Sequence, residues 1–146
     1  MDPKIQALKT PEDCYRFIDT YSKLINQARQ RAVDLRASNH SGSSLVENEL
    51  YRVLYAYEEI LSIKNKRRTR ANRTWQMVKR YGIIGAAERA VNRKIEPQGY
   101  KYLVEFDMPN LTFEAVIAKY PDVFSREAVS KAKQRLVEFE DLKNQR

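Results

Sequence analysis

Apolar residues recur every three or four positions through the first quarter of the chain. Thr10 is a suitable N-cap residue, and Pro11 fits the first position of a helix. The pattern predicts a helix from about Pro11 to about Arg36 with one buried apolar face. The residues on that face are Cys14, Phe17, Ile18, Tyr21, Leu24, Ile25, Ala28, Ala32 and Leu35.

A polar segment, residues 37–44, interrupts this pattern, and Ser43 or Ser44 is expected to cap the next helix. A second apolar face follows, and its phase continues through the basic residues beyond position 63. Its members are Leu50, Val53, Leu54, Tyr57, Ile60, Leu61, Ala71, Trp75 and Val78. We therefore expect one long helix from about Leu45 to about Arg80, with a bend allowed near Asn65 and a stop at Gly82. Two long helices joined by a short polar loop form an antiparallel hairpin.

The remaining sequence predicts shorter elements. Residues 83–91 have the spacing of a short helix, and Thr112 and Ser125 are suitable caps for two more. Residues 100–106 alternate like a strand, but we prefer a helical turn because no partner strand is evident nearby. The predicted fold is all-α and forms a single helical domain over residues 1–146. Residues 1–81 form the long hairpin, and residues 82–146 form a bundle of short helices packed against it.

The positive charge of the chain is concentrated in one segment. Residues 64–94 contain eleven Lys or Arg and one acid, Glu88. This segment has a local charge of +10, whereas the whole chain has a charge of +8, so the other residues sum to −2. Seven of the eleven basic residues are Arg, which suits bidentate contact with phosphate. Such a one-sign run favours a polyanion as partner, with an acidic protein or an inert solvated face as alternatives.

On the predicted long helix, the basic side chains lie away from the apolar face. Trp75 lies on the apolar face and is expected to anchor the core, whereas Tyr81 and Tyr100 are candidates for stacking on bases. The expected phosphate contacts are Lys66, Arg67, Arg70, Arg73, Lys79, Arg80, Arg89, Arg93 and Lys94.

The segment from 111 to 136 resembles a helix-turn-helix unit that reads DNA. In that motif the first residues of the second helix enter the major groove. The candidate base-reading residues are then Arg126, Ser130, Lys131 and Lys133. The turn is longer than usual and lacks glycine, so ordinary packing of a helical hairpin is the preferred interpretation.

Few residues suggest catalysis. Cys14 is the single cysteine, which excludes an internal disulfide, and no pattern of ligands predicts a metal or cofactor site. His40 is the single histidine, and Arg36 precedes it by four positions. This order is similar to that of all-α ribonucleases of the higher-eukaryote-and-prokaryote nucleotide-binding kind, although their gap is longer. A loop role for His40 is preferred, and Glu58 and Glu59 are expected to pair with Arg on neighbouring helices.

These patterns together predict a non-catalytic nucleic-acid-binding protein, with DNA preferred over RNA and a larger nucleoprotein assembly as one setting. An adaptor that docks an acidic protein is the first alternative, and a small all-α nuclease is the second. A homodimer through Tyr51 and Tyr55 is a further expectation. The sequence has no secretory signal and no apolar run of membrane-spanning length, which predicts a cytoplasmic protein without a membrane partner.

Overall fold

The computed structural model describes residues 1–40, 44–93 and 98–144, except the side chains of residues 142 and 143. Within these ranges all regular structure is helical, which confirms the all-α prediction. Short 3-10 turns at Pro109–Leu111 and Pro121–Val123 precede the last two helices. The helices are α1 (Pro3–Gln6), α2 (Pro11–Ser38), α3 (Leu45–Asn65), α4 (Asn72–Val91), α5 (Gln98–Glu105), α6 (Phe113–Lys119) and α7 (Arg126–Asn144).

The predicted caps begin the helices as expected. The Thr10 hydroxyl accepts a hydrogen bond from the Asp13 N–H at 3.1 Å, and Ser44 accepts one from the Glu47 N–H at 3.2 Å. Thr112 caps α6, and Ser125 caps α7, each by accepting a bond from the N–H three residues later. Each cap satisfies a backbone donor that the first helical turn leaves without a partner. The other cap candidate, Ser43, lies outside the described residues.

The prediction of one helix from Leu45 to Arg80 is wrong, because α3 ends at Asn65 and α4 starts at Asn72. Lys66 takes a left-handed conformation, with φ 55° and ψ 29°, and closes α3. The buried Ser62 then accepts a hydrogen bond from the Thr69 N–H at 2.9 Å, which holds the corner. The spacing of apolar residues happens to stay in phase on both sides of the corner, so the pattern looks like one helix. The hydrogen bond that holds the corner joins a backbone N–H to a side chain, and such a bond leaves no periodic pattern in the sequence.

The first helix also departs from the prediction, because most of its apolar face is exposed. Ile18 is 58% exposed, Leu24 51% and Ile25 50%, whereas Val33 and Ala37 are buried. Helix α2 therefore docks on α3 only through its C-terminal end. Ion pairs between Asp34 and Arg52 (2.8 Å) and between Arg36 and Glu58 (3.1 Å) hold this contact.

Helix α3 lies at the centre of the core. Leu50, Leu54 and Ile60 are almost completely buried, and the later helices surround them. The surrounding helices contribute Ile83, Ala87, Val91, Leu103, Ile117, Ala128 and Ala132. Among the described residues, none of the helices combines the length and the apolar character needed to cross a lipid bilayer.

A surface ion pair joins α3 to α6. The Lys119 ammonium donates to the Glu49 carboxylate at 2.6 Å. Burial by itself raises the pKa of Glu49, but the hydrogen bonds of Lys119 and Tyr120 and the charge of Lys119 outweigh it. The pKa of Glu49 is therefore below its usual range. The pKa of Lys119 is raised, mainly by the same hydrogen bond.

We expect Lys119→Met to raise the pKa of the Glu49 carboxyl, because burial is then opposed only by the Tyr120 hydrogen bond and the charge of Arg52. The folded-state pKa of Glu49 lies below the unfolded value, so its stabilising effect is present at neutral pH. That effect is lost as the pH falls through the folded-state pKa. The stability difference between the two proteins should thus shrink on acidification, and urea unfolding at several pH values measures it. Lys119→Arg, which keeps the charge, is the control, and a difference independent of acid pH would contradict the prediction.

Candidate nucleic-acid interface

Helix α4 is bent at Gly82. This residue has φ 78° and ψ 167°, a combination that only glycine adopts without strain. Residues 72–81 form one half of the helix and residues 83–91 form the other. Gly82 was predicted to end one helix and residues 83–91 to form the next, and the interruption of the helical backbone at Gly82 confirms this division.

Side chains from both halves of α4 line one groove of about 1140 Å³. Arg73 and Arg80 come from the first half, and Arg89 and Arg93 come from the second half and its end. Met77, Tyr81 and Gly85 are also part of the lining. We call this surface the arginine groove. Four of the nine predicted phosphate contacts thus converge, although they do so across a bend and not along one straight helix.

The electrostatics of the arginine groove are those of an anion site. Within the described ranges, none of its four guanidinium groups forms an ion pair with a carboxylate. The one acid of the lining, Glu88, accepts a hydrogen bond from the Ser125 N–H at 2.7 Å. Arg89 lies 3.6 Å from the centre of the Tyr81 ring and Arg80 lies 5.4 Å from it. The groove therefore combines a net positive charge with an exposed aromatic ring.

Helix α7 contacts the chain at the C-terminal end of α4, next to the groove. Lys131 donates to the carbonyl of Asn92 at 2.6 Å, and Arg135 donates to the carbonyl of Arg93 at 3.0 Å. Cations at the C-terminus of a helix satisfy carbonyls that have no partner inside the helix. The Tyr100 hydroxyl in turn donates to the Arg135 carbonyl at 2.8 Å. Tyr100 is buried, so its prediction as a stacking residue is wrong.

The other predicted phosphate contacts lie apart from the groove. Lys66 and Arg67 are exposed at the corner between α3 and α4, and Lys79 is exposed on α4 without lining the groove. Arg70 lies 5.5 Å from the centre of the Trp75 ring and 3.9 Å from a Glu58 oxygen. Lys94 lies outside the described residues.

A fully buried carboxylate, Glu58, joins three helices next to this corner. One of its oxygens accepts a hydrogen bond from Arg36 of α2 at 3.1 Å. The other accepts from the Ala71 N–H at 2.8 Å and from the Trp75 indole N–H at 2.7 Å. We call this set the Glu58 junction. The predicted pairing with Arg on a neighbouring helix is confirmed, and the indole confirms Trp75 as an anchor.

Four rings pack beside the Glu58 junction. The His40 ring stacks on Tyr51, with centres 4.1 Å apart, and on Trp75, with centres 5.6 Å apart. Its Nδ1 lies 3.1 Å from the Tyr55 hydroxyl. His40 therefore has packing partners that the loop interpretation did not foresee. Tyr51 and Tyr55 are half-buried in this cluster and not exposed as expected, and a homodimer through them stays a prediction.

The candidate base-reading residues all lie on α7. Arg126, Ser130 and Lys133 are exposed, whereas Lys131 is half-buried by its contact with Asn92. Helices α6 and α7 pack on each other as a hairpin, with Ile117, Ala128 and Ala132 buried in the common core. The four residues are not brought into the arginine groove.

Comparison with known proteins gives no relative: no protein-family model, no curated protein and no solved structure matches the chain. Among the described residues, no three His, Cys, Asp or Glu side chains are grouped as ligands for a metal ion.

Several groove residues were missed by sequence reasoning. Met77 and Gly85 line the groove because Gly82 turns the second half of α4 against the first. Ser125 joins them because it starts α7, which is distant in sequence. The only available signal was the pair of glycines at 82 and 85 inside an otherwise helical pattern.

Proposed function

We propose that this protein binds nucleic acid without catalysis, through phosphate contacts in the arginine groove. The observation that carries the proposal is the convergence of Arg73, Arg80, Arg89 and Arg93 on one groove, where four guanidinium groups outnumber the one acid of the described lining, Glu88. Arginine presents a planar fork of donors that matches the oxygens of a phosphate. The exposed Tyr81 adds a ring that can stack on a base or a sugar.

Counterion release is the source of the affinity. Each arginine that neutralises a phosphate frees a cation from the nucleic acid, so binding weakens linearly on a logarithmic salt scale. Four contacts predict a slope of about −3.6 for duplex DNA and about −2.8 for a single strand. The slope of log affinity against log salt concentration therefore measures how many phosphates the protein contacts, and the four arginines of the groove set the expected number.

The groove favours nucleic acid over an acidic protein as the ligand. Four arginines from both halves of α4 and its end line a single groove, so several phosphates of one chain can be met together. An acidic helix or loop offers carboxylates at less regular spacing. An adaptor that docks an acidic protein would instead show no binding to nucleic acid at low salt.

Fluorescence anisotropy with labelled duplex DNA, single-stranded DNA and RNA tests the proposal over a series of salt concentrations. We expect salt-sensitive binding, with DNA as the first ligand to be measured. The variant Arg73→Glu/Arg89→Glu should weaken binding at low salt by about a hundredfold or more and flatten the slope. Arg70 is left intact because it contacts the Glu58 junction.

The control is Lys9→Glu/Lys101→Glu, which makes the same change in net charge at two exposed positions away from the groove. It should reduce binding only slightly. Equal losses in the two variants would mean that affinity follows net charge and not the groove. Absence of binding to all three ligands at low salt would reject the proposal and favour an acidic protein partner.

A further inference from the structure

A row of exposed apolar side chains follows α2. Tyr15, Ile18, Tyr21, Leu24, Ile25 and Leu35 are each between 42% and 67% exposed. Isolated apolar residues are common on protein surfaces, but Ile18, Tyr21, Leu24 and Ile25 lie on one face of the helix within about two turns. Contiguous exposed apolar surface of this kind marks interaction sites on soluble proteins.

This face has the spacing of a coiled coil, although Cys14 and Phe17 at its N-terminal end are half-buried. Cys14, Tyr21 and Ala28 are seven residues apart, and Phe17, Leu24 and Arg31 form the second series three residues further on. These two series correspond to the a and d positions of a heptad, where each side chain fits between side chains of a facing helix. Ile18 and Ile25 widen the face on one side. The helix is therefore patterned for another helix and not for open solvent.

We propose that the occupant is a second copy of this chain, with the two α2 helices packed antiparallel about a two-fold axis between Ser22 and Lys23. In this register, each a residue faces a d residue of the second copy. Phe17 then faces Ala28, a large side chain against a small one, and Tyr21 faces Leu24. Ile18 lies beside Ile25 of the second copy, so the widened edge of the face is covered as well.

Charge favours the same arrangement. Arg31, the only charged residue in the two series, comes to lie opposite Cys14 and next to Asp13 of the second copy. Asp13 already pairs with Arg16 of its own helix at 3.0 Å and would gain a second cation. A parallel, in-register pair would instead place Arg31 against Arg31 and Phe17 against Phe17. Like charges at such close range are unfavourable, so the antiparallel pair is preferred.

The size of the surface is adequate for a specific dimer. The exposed side chains of both helices, with their flanking polar residues, would bury on the order of 1,200 Å² in total, the lower bound for stable interfaces. A two-fold pair uses the same face of each copy, so no surface is left to extend into a fibre. The Tyr51 and Tyr55 surface has no part in this contact.

Sedimentation equilibrium of the full chain over two decades of concentration tests the dimer. We expect a monomer–dimer equilibrium, and Leu24→Glu/Ile25→Glu should raise the dissociation constant by about a hundredfold or more. Both side chains are half exposed, so the variant should keep the helical circular dichroism of the parent protein. The control, Leu45→Glu/Val137→Glu, alters two exposed apolar residues elsewhere and should leave the equilibrium unchanged.

Disulfide formation tests the register. With Arg31→Cys, mild oxidation should give a covalent dimer, because position 31 then faces Cys14 of the second copy. The parent protein should not cross-link, since its two Cys14 residues would lie about 25 Å apart along the antiparallel pair. A monomer at every concentration, or a dimer that survives Leu24→Glu/Ile25→Glu, would overturn the proposal. Rapid cross-linking of the parent protein through Cys14 would overturn the antiparallel arrangement.

Discussion

Replacing Glu58 by leucine should lower the free energy of unfolding by about 3–5 kcal/mol. Glu58 is fully buried and accepts hydrogen bonds from Arg36, from the Ala71 N–H and from the Trp75 indole. Leucine fills a similar volume but accepts no hydrogen bond. The loss arises because the three donors keep their position and have no acceptor.

The magnitude follows from the burial of the groups that remain. A buried donor without an acceptor costs about 1–3 kcal/mol, and an uncompensated charge costs more. Since small proteins are stable by only about 5–15 kcal/mol, this single change removes a large part of the total. Glu58→Gln keeps an oxygen but places an amide N–H₂ against a donor, so we expect a smaller loss of about 1–3 kcal/mol.

The neighbouring Glu59 provides the matched control. Glu59 pairs with Arg68 at 3.2 Å, and the Arg68 side chain is 65% exposed. Glu59 itself is 16% exposed and also lies 3.9 Å from Arg36, but its main partner Arg68 stays in solvent, so the pair is expected to contribute only about 1 kcal/mol. Urea unfolding of Glu58→Gln and Glu59→Gln compares the same chemical change at adjacent positions. Equal losses would show that the Glu58 junction is not a principal support of the fold.

Replacing Gly82 by alanine should destabilise the protein by about 1–3 kcal/mol and weaken nucleic-acid binding at the same time. The φ and ψ of Gly82 are strained for any residue with a Cβ atom. No atom lies within 4 Å of where that Cβ would be placed, so the cost is conformational and not a steric clash with a neighbour. Relief of the strain would straighten α4 and separate Arg73 and Arg80 from Arg89 and Arg93.

Gly99→Ala is the control for this substitution. Gly99 lies in α5 with a negative or extended φ, and an added Cβ would meet the Tyr57 ring at 3.6 Å, an ordinary contact. That change should be neutral or stabilising by about 0.4–1 kcal/mol. Thermal unfolding and the anisotropy assay are measured on both variants. Unchanged binding in Gly82→Ala would show that the bend does not assemble the binding site.

The sequence predicts those parts of this fold that depend on local interactions. Thr10, Ser44, Thr112 and Ser125 cap helices as expected, because a cap needs only the next three residues. The all-α class and the helical choice for residues 100–106 follow from the same local preferences.

Non-local contacts explain the errors. The corner after Asn65 depends on the buried Ser62, whereas the break at Gly82 was predicted and only the direction of the helix after it was not. The amphipathic pattern of α2 correctly predicts which side of the helix is apolar. It does not show whether that side packs on the rest of this chain or on another molecule. Clustered basic charge indicated a polyanion site, yet which arginines meet in one groove could be seen only in three dimensions.

The Glu58 junction also gives this protein a built-in optical probe. Trp75 is the only tryptophan of the chain; it lies on α4, stacks on His40, which follows α2, and donates its indole N–H to Glu58 of α3. Its fluorescence therefore reports the separation of these three helices, without any added dye. The opening of one specific part of the molecule can thus be followed in real time in the unmodified chain.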